Sequence, residues 1–252
     1  AGKVKLQDKN TIVTGGASGF GAGIVARFLE EGANVTIVDF DETAALAYME
    51  SLKSDRVHFE YADLADGKSV AELFDRLQTR WSRLDVLVNN AGTTHLPALL
   101  EDVSEKDFDK VFAVNAKSVY YTSKFAVPWM KQQAAGAIVN IASTAALSPR
   151  PHLTWYNASK GWLVTATKSM AIELASESIR VNAICPVAGE TPLLASFMGN
   201  DTPETREKFL SSIPLGRFST PKDIAATALY LASDEAAMIT GVALAVDGGR
   251  CI

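Results

Sequence analysis

Seven short aliphatic and β-branched runs punctuate the chain, spaced so that a helix fits in the intervals between them: Thr11–Thr14, Asn34–Asp39, Val57–Tyr61, Asp85–Asn89, Ala137–Ala142, Arg180–Cys185 and Val242–Val246. Most are continuously apolar rather than alternating, which marks strands covered on both faces. Helix-period stretches fill the intervals, among them 21–31, 42–53, 68–81, 105–132 and 158–177. A βαβα order of this kind folds as an open, doubly wound parallel sheet, here of about seven strands with helices on both faces. The 252 residues contain no internal repeat and no Ser/Gly/Pro-rich linker, so the expectation is a single α/β domain, 1–252. Residues Val187–Pro221 hold four of the nine prolines and read as a loop with short helices, a lid segment over one sheet edge.

Composition removes several classes of function. Lys and Arg total 24 against 29 Asp and Glu, a net charge of −5 without any basic block, so no nucleic-acid partner is expected. No apolar run reaches the roughly 18 residues of a membrane helix, and residues 1–10 carry no signal-peptide core. Two cysteines, Cys185 and Cys251, cannot form a disulfide framework and suit a reducing compartment, so a cytoplasmic location is expected. No metal site is expected.

The first run leads directly into Thr14-Gly15-Gly16-Ala17-Ser18-Gly19-Phe20-Gly21 and then into a helix. Glycines there permit a tight turn and a close backbone approach to a pyrophosphate, whose charge sits at the helix N-terminus. A purely structural turn would use the same residues, but strand, turn and helix come in the order a dinucleotide site requires. Asp39 ends the second strand, 18 residues beyond Gly21, where a carboxylate can accept both ribose hydroxyls; it could also cap the next helix. No Arg or Lys lies in the turn or at Phe40, which favours NAD over NADP. Asp63-Leu64 and Asn89-Asn90-Ala91-Gly92 close the third and fourth strands, and all these positions are carboxyl ends of strands, where open α/β sheets bind ligands.

Tyr156 and Lys160 are four apart and share one helix face. The spacing alone says little, because Tyr120 and Lys124 repeat it within the 105–132 stretch, where it reads as packing plus a solvated cation. Only Tyr156 has a partner serine at a strand end, Ser143, 13 residues before it. Together with Thr14–Gly21, Asp63, Asn89–Gly92, Asn115, the run Tyr156-Asn157-Ala158-Ser159-Lys160, Pro186–Pro192, Ile239-Thr240-Gly241 and Val246-Asp247-Gly248-Gly249, these residues resemble the short-chain dehydrogenase/reductase family. The resemblance covers nearly the whole chain and is to the single-domain type of about 250 residues, a Rossmann-like fold.

The resemblance implies a hydride transfer between NAD(H) and a small secondary alcohol or ketone. Tyr156 would be general acid/base, Ser143 a hydrogen-bond donor to the substrate oxygen, and Asn115 the holder of a water linking Lys160 to solvent. Lys160 would grip the nicotinamide ribose and draw the Tyr156 phenol from its ordinary pKa near 10 toward neutrality. Cofactor contacts are expected at Gly15, Ser18, Gly19, Phe20, Gly21, Asp39, Asp63, Leu64, Asn89, Ala91, Gly92, Tyr156, Lys160, Pro186, Gly189 and Thr191. A homotetramer is implied, with the 105–132 and 158–177 helices forming one face and Phe125, Trp129 and Trp162 as anchors, unless any of these is a core residue instead.

The chain departs from the family pattern twice. Val187 follows Pro186 where the family has glycine, which leaves the loop path open, and Phe20 replaces an aliphatic residue, with little consequence expected. Segments 93–96, 144–155 and 193–198 are candidate pocket walls. His95, His152 and Arg150 could meet a polar or anionic substrate group, or be surface residues. Leu193, Leu194, Phe197 and Met198 could be an apolar lid or a helix on its own core. A non-catalytic nucleotide-binding scaffold would need the glycine turn and Asp39 but not the set Asn115, Ser143, Tyr156 and Lys160. A sugar-nucleotide epimerase would need an extra substrate domain, for which the chain leaves little room.

Overall fold

The computed structural model describes residues 4–252. Seven strands, β1 (Asn10–Thr14), β2 (Asn34–Asp39), β3 (Val57–Tyr61), β4 (Val86–Asn89), β5 (Gly136–Ile141), β6 (Ile179–Pro186) and β7 (Ala243–Val246), form one sheet in the order β3-β2-β1-β4-β5-β6-β7. Every pairing is parallel. The order reverses between β1 and β4, so the carboxyl ends of these strands flank the crevice where doubly wound sheets bind their ligands.

Successive strand residues feed opposite layers, which explains the continuous apolar runs. Val13, Val86, Val88 and Val139 pack with Ile24, Val25 and Phe28 of α1 (Gly19–Glu30) and Ile224, Ala228 and Leu229 of α9 (Pro221–Ala232). Their neighbours Ile12, Leu87 and Ile138 pack instead with Leu73, Phe74 and Leu77 of α3 (Gly67–Arg80) and with α5 (Ser118–Gln132) and α6 (Thr154–Leu174). α2 (Glu42–Leu52) lies on the α1 side through Ala45. Phe28, Phe74, Leu77 and Leu87 are fully buried, each contributing about 1.5–3 kcal/mol by leaving water. Among the described residues, no helix is long and apolar enough to cross a membrane.

Three differences from the sequence reading have clear causes. The 105–132 stretch is not one helix: α4 (Glu105–Phe112) passes through a π-helical turn, Ala113–Lys117, before α5 resumes. Such turns insert an extra residue and commonly mark functional positions; Asn115 sits inside this one. Helix α9 was not read from sequence because it follows the proline-rich stretch. It is defined by a capping box, in which Thr220 and Asp223 cap each other's backbone N–H with Pro221 at the first helical position. Finally, Trp129 is not an interface anchor but a core residue, 4% exposed. Phe125 is half-buried and stacks on Phe74 with centroids 5.8 Å apart, which leaves Trp162 as the exposed member of the three.

The segment after β6 carries α7 (Leu194–Met198) and α8 (Pro203–Leu210) and has a small core of its own, Val187, Leu194, Met198, Ile213 and Phe218. Val187 resolves the loop path left open by the missing glycine: its N–H donates to the Val246 carbonyl at 3.2 Å and its side chain starts this core.

Candidate active site

The carboxyl ends of the strands open into a cleft of about 650 Å³, within the usual range for small-molecule sites. At one end lies the glycine turn. Gly15 adopts φ +60°, and a Cβ on Gly21 would collide with the Gly15 carbonyl, so neither position accepts a side chain without moving the turn. Asn90 pins the turn from β4, its Nδ2 donating to the carbonyls of Thr14 at 3.0 Å and Gly15 at 3.1 Å. The first turn of α1 holds no acidic residue, and Ser18 makes no side-chain cap. Its leading N–H groups are therefore available to an anion at the cleft.

Asp39 is nearly buried and held by two backbone donors, Ala17 N–H at 3.2 Å and Asp41 N–H at 3.1 Å. Capping of α2 is done by Asp41, which accepts from Ala44 N–H, so Asp39 remains free to face the cleft. Exposed Phe40 lines the cleft beside it. An uncapped helix start, a side-chain-free turn and an oriented carboxylate at the end of β2 fit a dinucleotide.

Gly15, Ser18, Gly19, Phe20, Asp39, Asp63, Leu64, Ala91, Gly92, Ser143, Tyr156, Lys160, Pro186, Gly189 and Thr191 all line this cleft. Three expected site residues do not. Gly21 supports the turn from behind. Asn89 points into the core, where it accepts from Thr122 Oγ1 at 2.7 Å and donates to Asn140 Oδ1 at 2.8 Å. Asn140 in turn donates to Thr167 Oγ1 at 3.0 Å, so this chain ties α5, β4, β5 and α6 together beneath the cleft. The cleft residue of that pair is Asn90. Asn115 is 1% exposed, accepting from Thr93 N–H at 2.8 Å and donating to Thr93 O at 2.9 Å and Ser159 Oγ at 3.0 Å. It locks the loop that follows β4 onto α6, directly behind Lys160.

Tyr156 and Lys160 project from the first two turns of α6, one helical turn apart. Tyr156 is 6% exposed and packs under Phe197 of α7, ring centroids 5.0 Å apart. Burial pushes its phenol up to about 12, with the facing Ser143 hydroxyl pulling the other way. Burial pushes Lys160 down to about 8, and its Nζ donates to the Ile141 carbonyl at 2.9 Å. Lys160 donates to a strand carbonyl in this structure, and desolvation is the largest influence on the Tyr156 phenol. Its companion pair, Tyr120 and Lys124, behaves as a surface contact, the ammonium 6.0 Å from an exposed ring.

Thr93 lines the cleft as its segment suggested, and four wall residues were unassigned by sequence, Lys110, Val114, Asn157 and Phe209. Periodicity could not find them, because they come from three separate stretches, 105–117, α6 and α8. Phe20 has more consequence than expected, since its ring occupies the space that a side chain on Gly189 would need. Leu193 and Phe197 face the cleft while Leu194 and Met198 fill the core of their own segment, so both readings of that helix hold in part. His95 is buried, its Nδ1–H donating to Leu96 O at 2.7 Å, and neither it nor exposed His152 lines the cleft; Arg150 does.

Comparison with known proteins agrees with this geometry. The family model described as enoyl-(acyl carrier protein) reductase matches residues 15–250. A 4-formylbenzenesulfonate dehydrogenase of Comamonas testosteroni is 44% identical over 99% of this chain and 100% of its own. A 3-oxoacyl-[acyl-carrier-protein] reductase of Thermotoga maritima is 38% identical over 99% and 100%. The crystal structure of a Brucella melitensis 3-ketoacyl-(acyl-carrier-protein) reductase complexed with NADH superposes with a TM-score of 0.93 at 44% identity, covering 98% of this chain and 100% of that one. The protein is a hydride-transferring oxidoreductase that uses a nicotinamide cofactor. With its parallel seven-stranded sheet, glycine turn and Tyr156–Lys160 helix, the chain belongs to the short-chain dehydrogenase/reductase family.

Proposed function

We propose that the enzyme interconverts a secondary alcohol and the corresponding ketone, with NAD(H) rather than NADP(H) as hydride partner. The observation that carries this reading is the convergence of Ser143, Tyr156 and Lys160 on the cleft that also contains the glycine turn and Asp39. When bound, the nicotinamide exchanges a hydride with the substrate carbon. The protein's residues handle the oxygen.

In reduction, Tyr156 donates its proton to the carbonyl oxygen as negative charge develops there, with the Ser143 hydroxyl as a second donor. In oxidation the same phenol must first lose its proton. An ammonium at Lys160, one turn away, favours that form once it is released from Ile141. Lys160 and Asp39 hold the two ribose ends of the cofactor, and Asn115 is a positioning residue that fixes α6 against β4. The segment 187–221 acts as a lid, with Phe197 and Leu193 as the surfaces that exclude water from Tyr156.

The names of the relatives cover an aryl aldehyde and a 3-oxoacyl group on a carrier protein, and a carbonyl carbon is the feature they share. The two free cysteines suit a reducing, cytoplasmic setting. Tyr120, Trp162 and Ile172 are exposed on α5 and α6 and favour a homotetramer. A panel of ketones and secondary alcohols, followed by nicotinamide absorbance with NADH and NADPH in parallel, tests the reading. Turnover of at least one ketone with NADH supports it, and activity on aldehydes alone would overturn it. A single 27.0 kDa species in sedimentation at micromolar concentration would remove the tetramer.

A further inference from the structure

Of the ten arginines, seven pair with a carboxylate and three do not: Arg150, Arg180 and Arg250. Arg180 is explained by structure, since it donates to the carbonyls of Leu231 and Ser233 at the end of α9. The other two are neighbours, Arg150 in the cleft wall and Arg250 behind it against Ser148. Arg150 is half-buried, with its guanidinium carbon 4.5 Å from the centroid of the Phe209 ring. Of its five N–H donors, one goes to Ser212 Oγ at 2.8 Å. Burial and the neighbouring Arg250 charge hold Arg150 below its usual pKa, and no carboxylate among the described residues pairs with it.

Arg250 donates to Ser148 Oγ at 3.1 Å, and its Nε is buried without a partner. Ser148 lines the cleft. With a lone pair engaged by Arg250, its hydroxyl proton is free to be donated into the cleft. The nearest acid in this segment, Asp247, spends its oxygens on the N–H groups of Gly249 and Cys251. Two half-buried guanidinium groups beside each other, with no carboxylate among the described residues paired to either, favour the entry of an anion.

We propose that Arg150 and Ser148, backed by Arg250, form an anion subsite in the cleft, and that the substrate carries a carboxylate or sulfonate at the end away from its reacting carbon. The proposal rests on the alcohol/ketone reading above. A planar fork of donors recognises either oxyanion. The Arg150–Phe209 stacking and the Ser212 bond also make the subsite a junction between the loop after β5 and the lid, so an anion seated there would contact both.

The test uses acetophenone, 4-acetylbenzoate and 4-acetylbenzenesulfonate as ketones with NADH, on the wild type and on Arg150→Gln and Arg150→Lys. The wild type is expected to prefer either anionic ketone over acetophenone by at least about tenfold in kcat/KM. Arg150→Gln should erase that preference through KM, and Arg150→Lys should restore part of it. An equal fall on all three ketones would make Arg150 a lid latch only and overturn the proposal, as would a wild type indifferent to the charge. Calorimetric titration of benzenesulfonate and benzoate into the enzyme with NADH separates the two readings. Binding to the wild type but not to Arg150→Gln, without turnover of any ketone, would retain the subsite and reject the reaction. Turnover of acetophenone with no anion binding would do the reverse.

Discussion

Replacing Asp39 with serine should convert a strict cofactor choice into a weak one, and the size of the effect follows from the site. Asp39 is fixed by Ala17 and Asp41 N–H, which leaves each carboxylate oxygen a further lone pair toward the cleft. Two ribose hydroxyls can donate there, each charge-assisted bond contributing roughly 1.5–3 kcal/mol. A 2′-phosphate removes one of these bonds and places about −2 of charge against the carboxylate. The cations lining the cleft are Lys110, Arg150 and Lys160, and none belongs to β2 or the glycine turn. Loss of one bond plus repulsion should exceed about 3 kcal/mol, so NAD should be preferred by at least two decades in kcat/KM. Asp39→Ser should bring that ratio to within about tenfold of unity, chiefly by weakening NADH. The assay is the ratio of kcat/KM for NADH and NADPH with one responsive ketone, in both proteins. A wild-type preference for NADPH would refute the reasoning and mean that a cation such as Lys110 reads the phosphate.

Two further outcomes follow from close approach and burial. Gly21→Ala drives a methyl group into the Gly15 carbonyl and to 2.5 Å from Asn90 Nδ2, so it should cost about 1–3 kcal/mol of stability in urea unfolding and at least tenfold in NADH affinity by fluorescence titration; unchanged affinity would mean that the turn does not seat the cofactor. Lys160 titrates near 8 in the fold against an ordinary 10.5, so between those values the unfolded chain binds more protons and stability rises with pH. Relative to Lys160→Met, the wild type should therefore gain up to about 3 kcal/mol from pH 8 to 10.5, read by urea unfolding, and a flat difference would contradict the burial of this amine.

The sheet was legible because strands covered on both faces must be apolar along their whole length, and β2 and β3 begin and end where the runs do. The glycine turn was legible because φ and close approach restrict residue type, as at Gly15 and Gly21. What escaped depends on contacts between distant segments. Asn89 and Asn90 are adjacent and chemically identical, and only the pleat decides that one faces Asn140 in the core while the other holds the turn. The π-helical turn at Asn115 has no compositional mark, because Thr93 and Ser159 come from elsewhere in the chain. The Tyr156–Lys160 spacing places both side chains on one face, yet whether the amine meets the phenol or the Ile141 carbonyl is a matter of geometry. Arg150 was open between an anion contact and a surface residue until its place in the cleft wall and its lack of an acid could be seen.

The central claim, that Tyr156 exchanges the substrate proton during hydride transfer, is tested most directly by Tyr156→Phe. The substitution removes one hydroxyl and keeps the ring under Phe197. Single-turnover oxidation of pre-bound NADH by a responsive ketone should slow by roughly two to four decades, the range for a lost general acid, while NADH affinity changes less than about threefold. Near-full single-turnover rate in that variant would contradict the assignment and place the proton donor elsewhere in the cleft.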